Sequence, residues 1–463
     1  MSQKRSTITF QDYLSIYYNY DYMLIATIAC FIIGYLVIVF EHPLRLDKTV
    51  PALIMGAMCW AFVSLGQLDL YDHHGHAIQG DGDYYDGLKN VLVHHIGKTA
   101  EILIFLIGAM TIVELVDLHK GFSVITRRIK TNNKKTMLWL ICILAFFLSA
   151  TLDNLASTIV LVSLLRRLVP DKTERLWFVS LAVIAANAGG AWSPIGDVTT
   201  TMLWIGQKVS TIGLITHLVI PAMVCLVVPT FIASFLKPFQ GNITLSSNSE
   251  FSKETKNNVL SSQTMLAVGL LGLISVPIFK SITHMPPYIG MMLALGIVWL
   301  VSEYIHPEED FDEERKHLYS AHTALSRIEM SSILFFLGIL MAVSSLESLG
   351  VLQNLAEALD RSIPSQEIVV ILLGIFSAII DNVPLVAASM GMYDFAMDDS
   401  MWHFIAYSAG TGGSMLIIGS AAGVAAMGME RIDFIWYLKK ISWLAFLGFI
   451  SGAAVFLLLQ GVF

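Results

Sequence analysis

Long apolar runs dominate this chain, and neither strand alternation nor a one-sided helical stripe describes them. They fall at about 23–40, 50–66, 96–118, 137–150, 155–168, 176–206, 212–236, 263–283, 286–304, 329–347, 366–380, 384–393, 402–428 and 434–460. A helix that is apolar all round belongs in a large core or in lipid. About 20 such residues cross a bilayer, and the runs supply roughly ten crossings. Some runs are too short. Those at 137–150 and 155–168 flank Asp153-Asn154, and those at 366–380 and 384–393 flank Asp381-Asn382. Short runs of this kind are more often re-entrant than spanning. Each pair therefore predicts a hairpin that enters and leaves on one side, over about 137–168 and about 366–393.

Composition agrees. Of 463 residues, 55% are hydrophobic and 14% charged, where a soluble domain carries about 25% charged residues. The net charge of −8 includes no basic stretch suited to nucleic acid. Cys30, Cys59, Cys142 and Cys225 sit in apolar segments without a CxxC pair, so they read as small core residues. There is no HExxH, Walker A or GxSxG element, which argues against ATP-driven pumping and intramembrane hydrolysis. The chain reads as a carrier without a cofactor, not an enzyme.

Basic residues set orientation, because short cytoplasmic loops are enriched in lysine and arginine. Lys120, Arg127, Arg128, Lys130, Lys134 and Lys135 precede the first hairpin, and Arg166, Arg167, Lys172 and Arg175 close it. If the hairpin is re-entrant, both clusters are cytoplasmic. Lys237, Lys253, Lys256, Arg315, Lys316, Arg327, Arg431, Lys439 and Lys440 then follow on the same side. The Asp/His-rich loop 67–95 and the acidic loop Asp394–Asp399 fall outside, with both termini. The expected organisation is an N-terminal segment over 1–22 holding a tyrosine-rich interfacial helix, a first membrane half over 23–236, a cytoplasmic linker over 237–262 and a second half over 263–463. No small-residue cleavage site follows the first apolar run, so it reads as a retained span.

The halves repeat weakly. Ser149-Ala-Thr-Leu-Asp-Asn154 matches Ser377-Ala-Ile-Ile-Asp-Asn382, and each hairpin is followed by an apolar run interrupted by glycine and polar residues. The first interruption is Asn187-Ala-Gly-Gly-Ala-Trp-Ser-Pro-Ile-Gly-Asp197 and the second is Ser408-Ala-Gly-Thr-Gly-Gly-Ser414. One hairpin opens inward and the other outward. The fold class is thus an all-α polytopic membrane protein with inverted repeats, two re-entrant hairpins and two broken transmembrane helices. Interrupted segments in matching positions point to a transporter's binding site.

Acids deep in a membrane are costly and mark ion or proton paths, which selects Asp153 and Asp381 at the hairpin tips. Asp-Asn also caps a half-helix, and capping does not exclude ion binding. Gly189, Gly190, Pro194 and Gly196 break the helix between Asn187 and Asp197, and broken backbone at membrane depth lines a cavity or is buried in protein. Its freed carbonyls, with Ser193, Asp197, Thr199 and Thr200, offer hard oxygen ligands to a cation. The second break offers Thr411, Ser414 and Ser420 but no acid. The candidate ion site comprises Asp153, Asn154, Ser193, Asp197, Thr199, Thr200, Asp381, Asn382, Thr411 and Ser414, with Asp153, Asp197 and Asp381 as the sodium or proton carboxylates. Glu101, Glu114, Asp117 and Glu347 read equally well as interfacial anchors. His73, His74, His76, His94 and His95 read as a solvated loop.

The stretches Thr151–Thr158, Ala186–Thr200, Asp381-Asn-Val-Pro384 and Gly410–Gly423 resemble the NhaD family of sodium/proton antiporters, within the superfamily that includes arsenite and dicarboxylate carriers. The resemblance covers nearly the whole chain from the first span onward. It implies paired re-entrant hairpins, a homodimeric scaffold, elevator-like movement of the transport part, and a multi-pass protein of a bacterial inner membrane. Sodium or lithium would displace protons from Asp153, Asp197 or Asp381, under alternating access. A sodium-coupled carrier of an organic or inorganic anion would use the same scaffold. No Arg or Lys lies in the broken segments to receive such an anion.

Overall fold

A computed structural model describes residues 10–71, 84–126, 129, 131–243, 259–305, 321–363, 365–379 and 381–460. Among them the secondary structure is helical, and nine helices are long and apolar enough to cross a membrane. Ile25, Ile33, Leu271, Leu300 and Leu458 are among many large apolar side chains exposed on these helices. Apolar exposure on that scale suits lipid rather than water.

The described residues form two compact units, each drawing on both halves of the sequence. In the unit built from residues up to 100, 330–362 and 387–394, helices Phe10–Val39, Thr49–Gly66 and Met330–Ser348 pack together. Gly56 and Gly338 permit the approach, since a Cβ on Gly338 would lie 2.5 Å from the Ala52 carbonyl carbon. Small residues at a crossing let membrane helices pack closely. Trp60 and Val63 join Leu68, Leu88, Val91 and Leu349 in an apolar cluster, and the Trp60 indole donates to the Met341 carbonyl at 2.8 Å.

The second unit holds residues 101–329, 363–386 and 395–463. Thr211–Ala233 packs along Ser442–Leu459 through Gly448 and Gly452. Helices Lys134–Leu152, Asn154–Leu168 and Lys172–Gly190 lie against one another, and Ala421–Glu430 packs on the latter two. An ion cluster ties their ends: buried Glu430 accepts from the Arg166 Nε at 2.6 Å and the Arg175 Nε at 2.9 Å.

Element bounds differ from the apolar runs in three informative places. The tyrosine-rich stretch from Phe10 is continuous with the first span in one helix, Phe10–Val39. The first limb of the first hairpin is Lys134–Leu152, 19 residues and long enough to cross. Lys134 starts it with its amine paired to Glu174, a long-stemmed cation placing its charge where the apolar run ends. His94 and His95 are not loop residues. They belong to helix Tyr84–Leu118, and buried His95 places Nε2 2.8 Å from the Ser348 hydroxyl. His73, His74 and His76, the basic residues Arg127, Arg128 and Lys130, and most of the 237–262 linker lie outside the described residues.

Candidate functional site

Both interrupted segments are breaks within helices. Lys172–Gly190 stops and Val198–Ile205 starts after seven residues, while Ser400–Gly412 and Ala421–Glu430 flank a second irregular stretch. The same device ends each first half. A Cβ on Gly189 would lie 2.1 Å from the Phe146 carbonyl oxygen, and one on Gly412 would lie 2.1 Å from that of Gly374. Gly190 then meets the Gly196 carbonyl oxygen at 2.4 Å, and Gly413 meets that of Gly419 at 2.6 Å, by the same measure. These backbones touch because no side chain stands between them, and only glycine allows that. Each break is also stitched by hydroxyls. Ser193 donates to the Ala150 carbonyl at 2.6 Å, Thr201 to Pro194 at 2.9 Å, and Ser377 to Ala409 at 2.8 Å.

The second half of each broken helix begins with a side-chain cap, and the two caps differ in charge. Asp197 caps Val198–Ile205, its Oδ1 accepting from the Thr199 amide and the Thr199 hydroxyl, both at 2.9 Å. Ser420 caps Ala421–Glu430, accepting from the Gly423 amide at 3.2 Å. Asp197 is 2% exposed, and an unpaired carboxylate so placed would be costly. Amides surround it. Asn154 Nδ2 donates to Asp197 Oδ2 at 2.5 Å, and Asn382 Nδ2 lies 3.3 Å from both carboxyl oxygens.

Asn187 joins this group to the second break. Its Oδ1 accepts from Asn154 Nδ2 at 3.1 Å, and its Nδ2 donates to the hydroxyls of Ser414 at 3.0 Å and Ser420 at 2.9 Å. The result is one buried network, Asp197–Asn154–Asn187–Ser414/Ser420, with Asn382 entering from the other hairpin. Of the ten residues selected from sequence, Asn154, Asp197, Thr199, Asn382 and Ser414 lie in this network. Ser193 stitches the first break, while the Thr200 hydroxyl donates to the Asp197 carbonyl at 2.9 Å and the Thr411 hydroxyl to that of Tyr407 at 2.6 Å.

Asp153 and Asp381 stand differently. Asp153 has φ +96°, a conformation that costs an ordinary residue energy, and its carboxylate caps Asn154–Leu168 by accepting from the Ala156 amide at 2.7 Å. Asp381 accepts from the Val383 amide at 3.4 Å. Both are half-buried. Asn187 and Ser420 were not among the ten. A signal existed for Ser420: it follows Gly413 by seven residues, as Asp197 follows Gly190. Asn187 opens the first interrupted segment, but nothing local marked its amide as the link between the two breaks.

Paired helix breaks around a buried, amide-ringed carboxylate, with nine spanning-length helices among the described residues, define a polytopic α-helical membrane transporter. The chain belongs to the citrate transporter family, whose profile matches residues 35–412. It is 44% identical to "Sodium/proton antiporter 1" of Arabidopsis thaliana over 94% of this chain and 72% of that one. It is 29% identical to the "Na(+)/H(+) antiporter NhaD" of Alkalimonas amylolytica over 94% and 90%, and 28% identical to that of Vibrio cholerae over 94% and 91%. The NhaD resemblance read from the motifs is thereby borne out. In fold, the chain is similar to the crystal structure of the Alcanivorax borkumensis YdaH transporter, with a TM-score of 0.56 at 12% identity, covering 93% of this chain and 98% of that one.

Proposed function

We propose that this chain exchanges sodium, or lithium, for protons across an energised membrane. The observation that carries the reading is Asp197, a buried acid within hydrogen-bond reach of two asparagines, one from each hairpin, at the junction of two broken helices. A carboxyl group there binds either a proton or a small hard cation, and burial makes the two exclude each other. Asn154 and Asn382 donate to the carboxylate. A half-turn of either amide presents its oxygen instead, and the hydroxyls of Thr199, Ser414 and Ser420 supply further hard oxygens of the kind that suits such cations. Every group in this network belongs to one compact unit, so the site can be carried as a body in an elevator-like exchange. Asp153 and Asp381, at the hairpin tips, serve as carboxylates on the proton or cation path.

Matching glycine contacts at Gly189/Phe146 and Gly412/Gly374 support reading the two hairpins as re-entrant members of an inverted repeat. We place the basic loops in the cytoplasm and the protein, as a homodimer, in a bacterial inner membrane. The second reading, a sodium-coupled carrier of an anion, draws on the family's citrate-transporter description. It is disfavoured because, among the described residues, no lysine or arginine bonds to Asp197, Asn154, Asn187 or Asn382. The deciding experiment uses purified protein in liposomes with sodium chloride and buffer as the only solutes. Sodium addition should release protons at once, and an absolute requirement for citrate or another anion would overturn the antiporter reading.

A further inference from the structure

A buried hydroxyl from outside the network around Asp197 reaches the second break. Tyr437 lies on the short helix Phe434–Lys440, beyond both hairpins and both broken helices. Its side chain is fully buried, and its hydroxyl donates to the Ser414 carbonyl at 2.9 Å. Other backbone bonds in that break are local turns: Ser414 N to Thr411 O at 3.1 Å, Met415 N to Gly412 O at 3.0 Å, and Gly419 N to Leu416 O at 3.1 Å. Three-residue turns of this type hold a segment loosely, because their geometry is poorer than that of an α-helical bond.

Ser414 carries two connections that meet in one residue. Its carbonyl is held by Tyr437, and its hydroxyl is held by Asn187, which continues to Asn154 and Asp197. Fixing the peptide plane after Ser414 restrains the backbone from which its hydroxyl projects. The lever is stiff. A tyrosine side chain has two rotatable bonds, and Phe434–Lys440 starts on an N-cap, Asp433 accepting from the Trp436 amide at 2.7 Å. The first break takes its corresponding stitches from inside, Ser193 to Ala150 and Thr201 to Pro194. The second borrows Tyr437 from the element that follows.

We propose that Tyr437 is a positioning residue for cation binding, acting through Ser414. The proposal rests on the Asp197 network being the cation site. Tyr437→Phe keeps the ring and removes only the hydroxyl, so the break loses one hydrogen bond and Ser414 loses its restraint. The test measures sodium-dependent proton release by full-length protein in liposomes at fixed pH, with melting of the purified protein recorded alongside. The apparent sodium Km should rise about five-fold, the effect of one ordinary hydrogen bond, while the maximal rate at saturating sodium stays within about two-fold and Tm within about 2 °C. An unchanged Km overturns the proposal. So does a Km rise accompanied by a Tm fall of more than about 5 °C, which a loosened core alone would produce. Asp197→Asn, run in parallel, separates the two levels. If Asp197→Asn exchanges sodium like the parent, the site reading falls and this proposal with it. If Asp197→Asn is inactive while Tyr437→Phe leaves Km unmoved, the Tyr437 proposal alone falls.

Discussion

Replacing Asp197 by asparagine is expected to abolish sodium-dependent proton release while protein still reaches the membrane. The substitution preserves size, and asparagine caps a helix as well as aspartate does, so Val198–Ile205 keeps its N-terminus. The charge is lost. Asn154 and Asn382, which donate to the carboxylate at 2.5 and 3.3 Å, would face another amide, and one buried donor would go unpaired, at a cost of about 1–3 kcal/mol. Without Asp197 the buried amide-ringed network has no carboxylate of its own to titrate or to balance the charge of sodium. We expect exchange to fall at least about 100-fold, equivalent to about 2.8 kcal/mol, measured in everted vesicles with expression confirmed by blotting. Activity within about ten-fold of the parent would remove Asp197 from the site. Asp153→Asn makes an informative companion. Its carboxylate visibly caps a helix, asparagine preserves that cap, and any loss of exchange then reports its charge.

A second large effect is expected at the helix breaks. Gly189→Ala or Gly412→Ala places a methyl group 2.1 Å from a backbone oxygen of Phe146 or Gly374. Backbone cannot swing aside as a side chain can. Overpacking typically costs about 1–3 kcal/mol, occasionally more, and here it would also push apart the elements that position Asp197 and Ser420. Both variants should melt well below the parent in detergent and lose most exchange. Gly296→Ala and Gly428→Ala are the controls, since nothing lies within 4 Å of a methyl group at either position. Removing a mid-helix glycine there should be neutral or stabilising by up to about 1 kcal/mol. Parent-like melting and transport for Gly189→Ala and Gly412→Ala would mean that these contacts are not what shapes the breaks.

The helical, membrane-spanning class was legible because lipid imposes a simple demand on sequence, namely long apolar runs with punctuation. Pro194 and the glycines around it marked the first break correctly, since proline and glycine act locally. The boundaries were less legible wherever a polar residue can end a membrane helix with its stem in apolar surroundings, as Lys134 does opposite Glu174. His94 and His95 looked like loop because they are polar, yet they continue a helix whose partner across the fold, Ser348, is 253 residues away. No local pattern encodes such a contact.

The site was half legible for the same reason. Spacing alone ranks Asp153, Asp197 and Asp381 together, and tertiary packing then buries Asp197 and leaves the other two as half-buried caps. Thr200 and Thr411 looked like free oxygen ligands, but each hydroxyl donates to a nearby carbonyl, a familiar habit of threonine in helices. Asn187's place in the network was invisible because its three partners come from two distant stretches of chain, Asn154 in one and Ser414 and Ser420 in the other.

Competition between sodium and protons for shared carboxylates is the central claim, and the pH dependence of the sodium Km addresses it directly. A proton occupying the site must leave before sodium binds. Lowering pH raises proton occupancy, so the apparent Km should rise as pH falls, about ten-fold per pH unit where one proton competes. Raising pH should lower Km until the site is deprotonated, after which it levels off. The resulting midpoint belongs to the coupled group and not to one aspartate. The measurement is initial proton flux against sodium concentration in liposomes across the alkaline and neutral range, with maximal rates extracted at each pH. A Km that follows this curve, with maximal rate changing far less, is the expected result. A Km independent of pH, with only the maximal rate responding, would show that sodium and protons do not share the site.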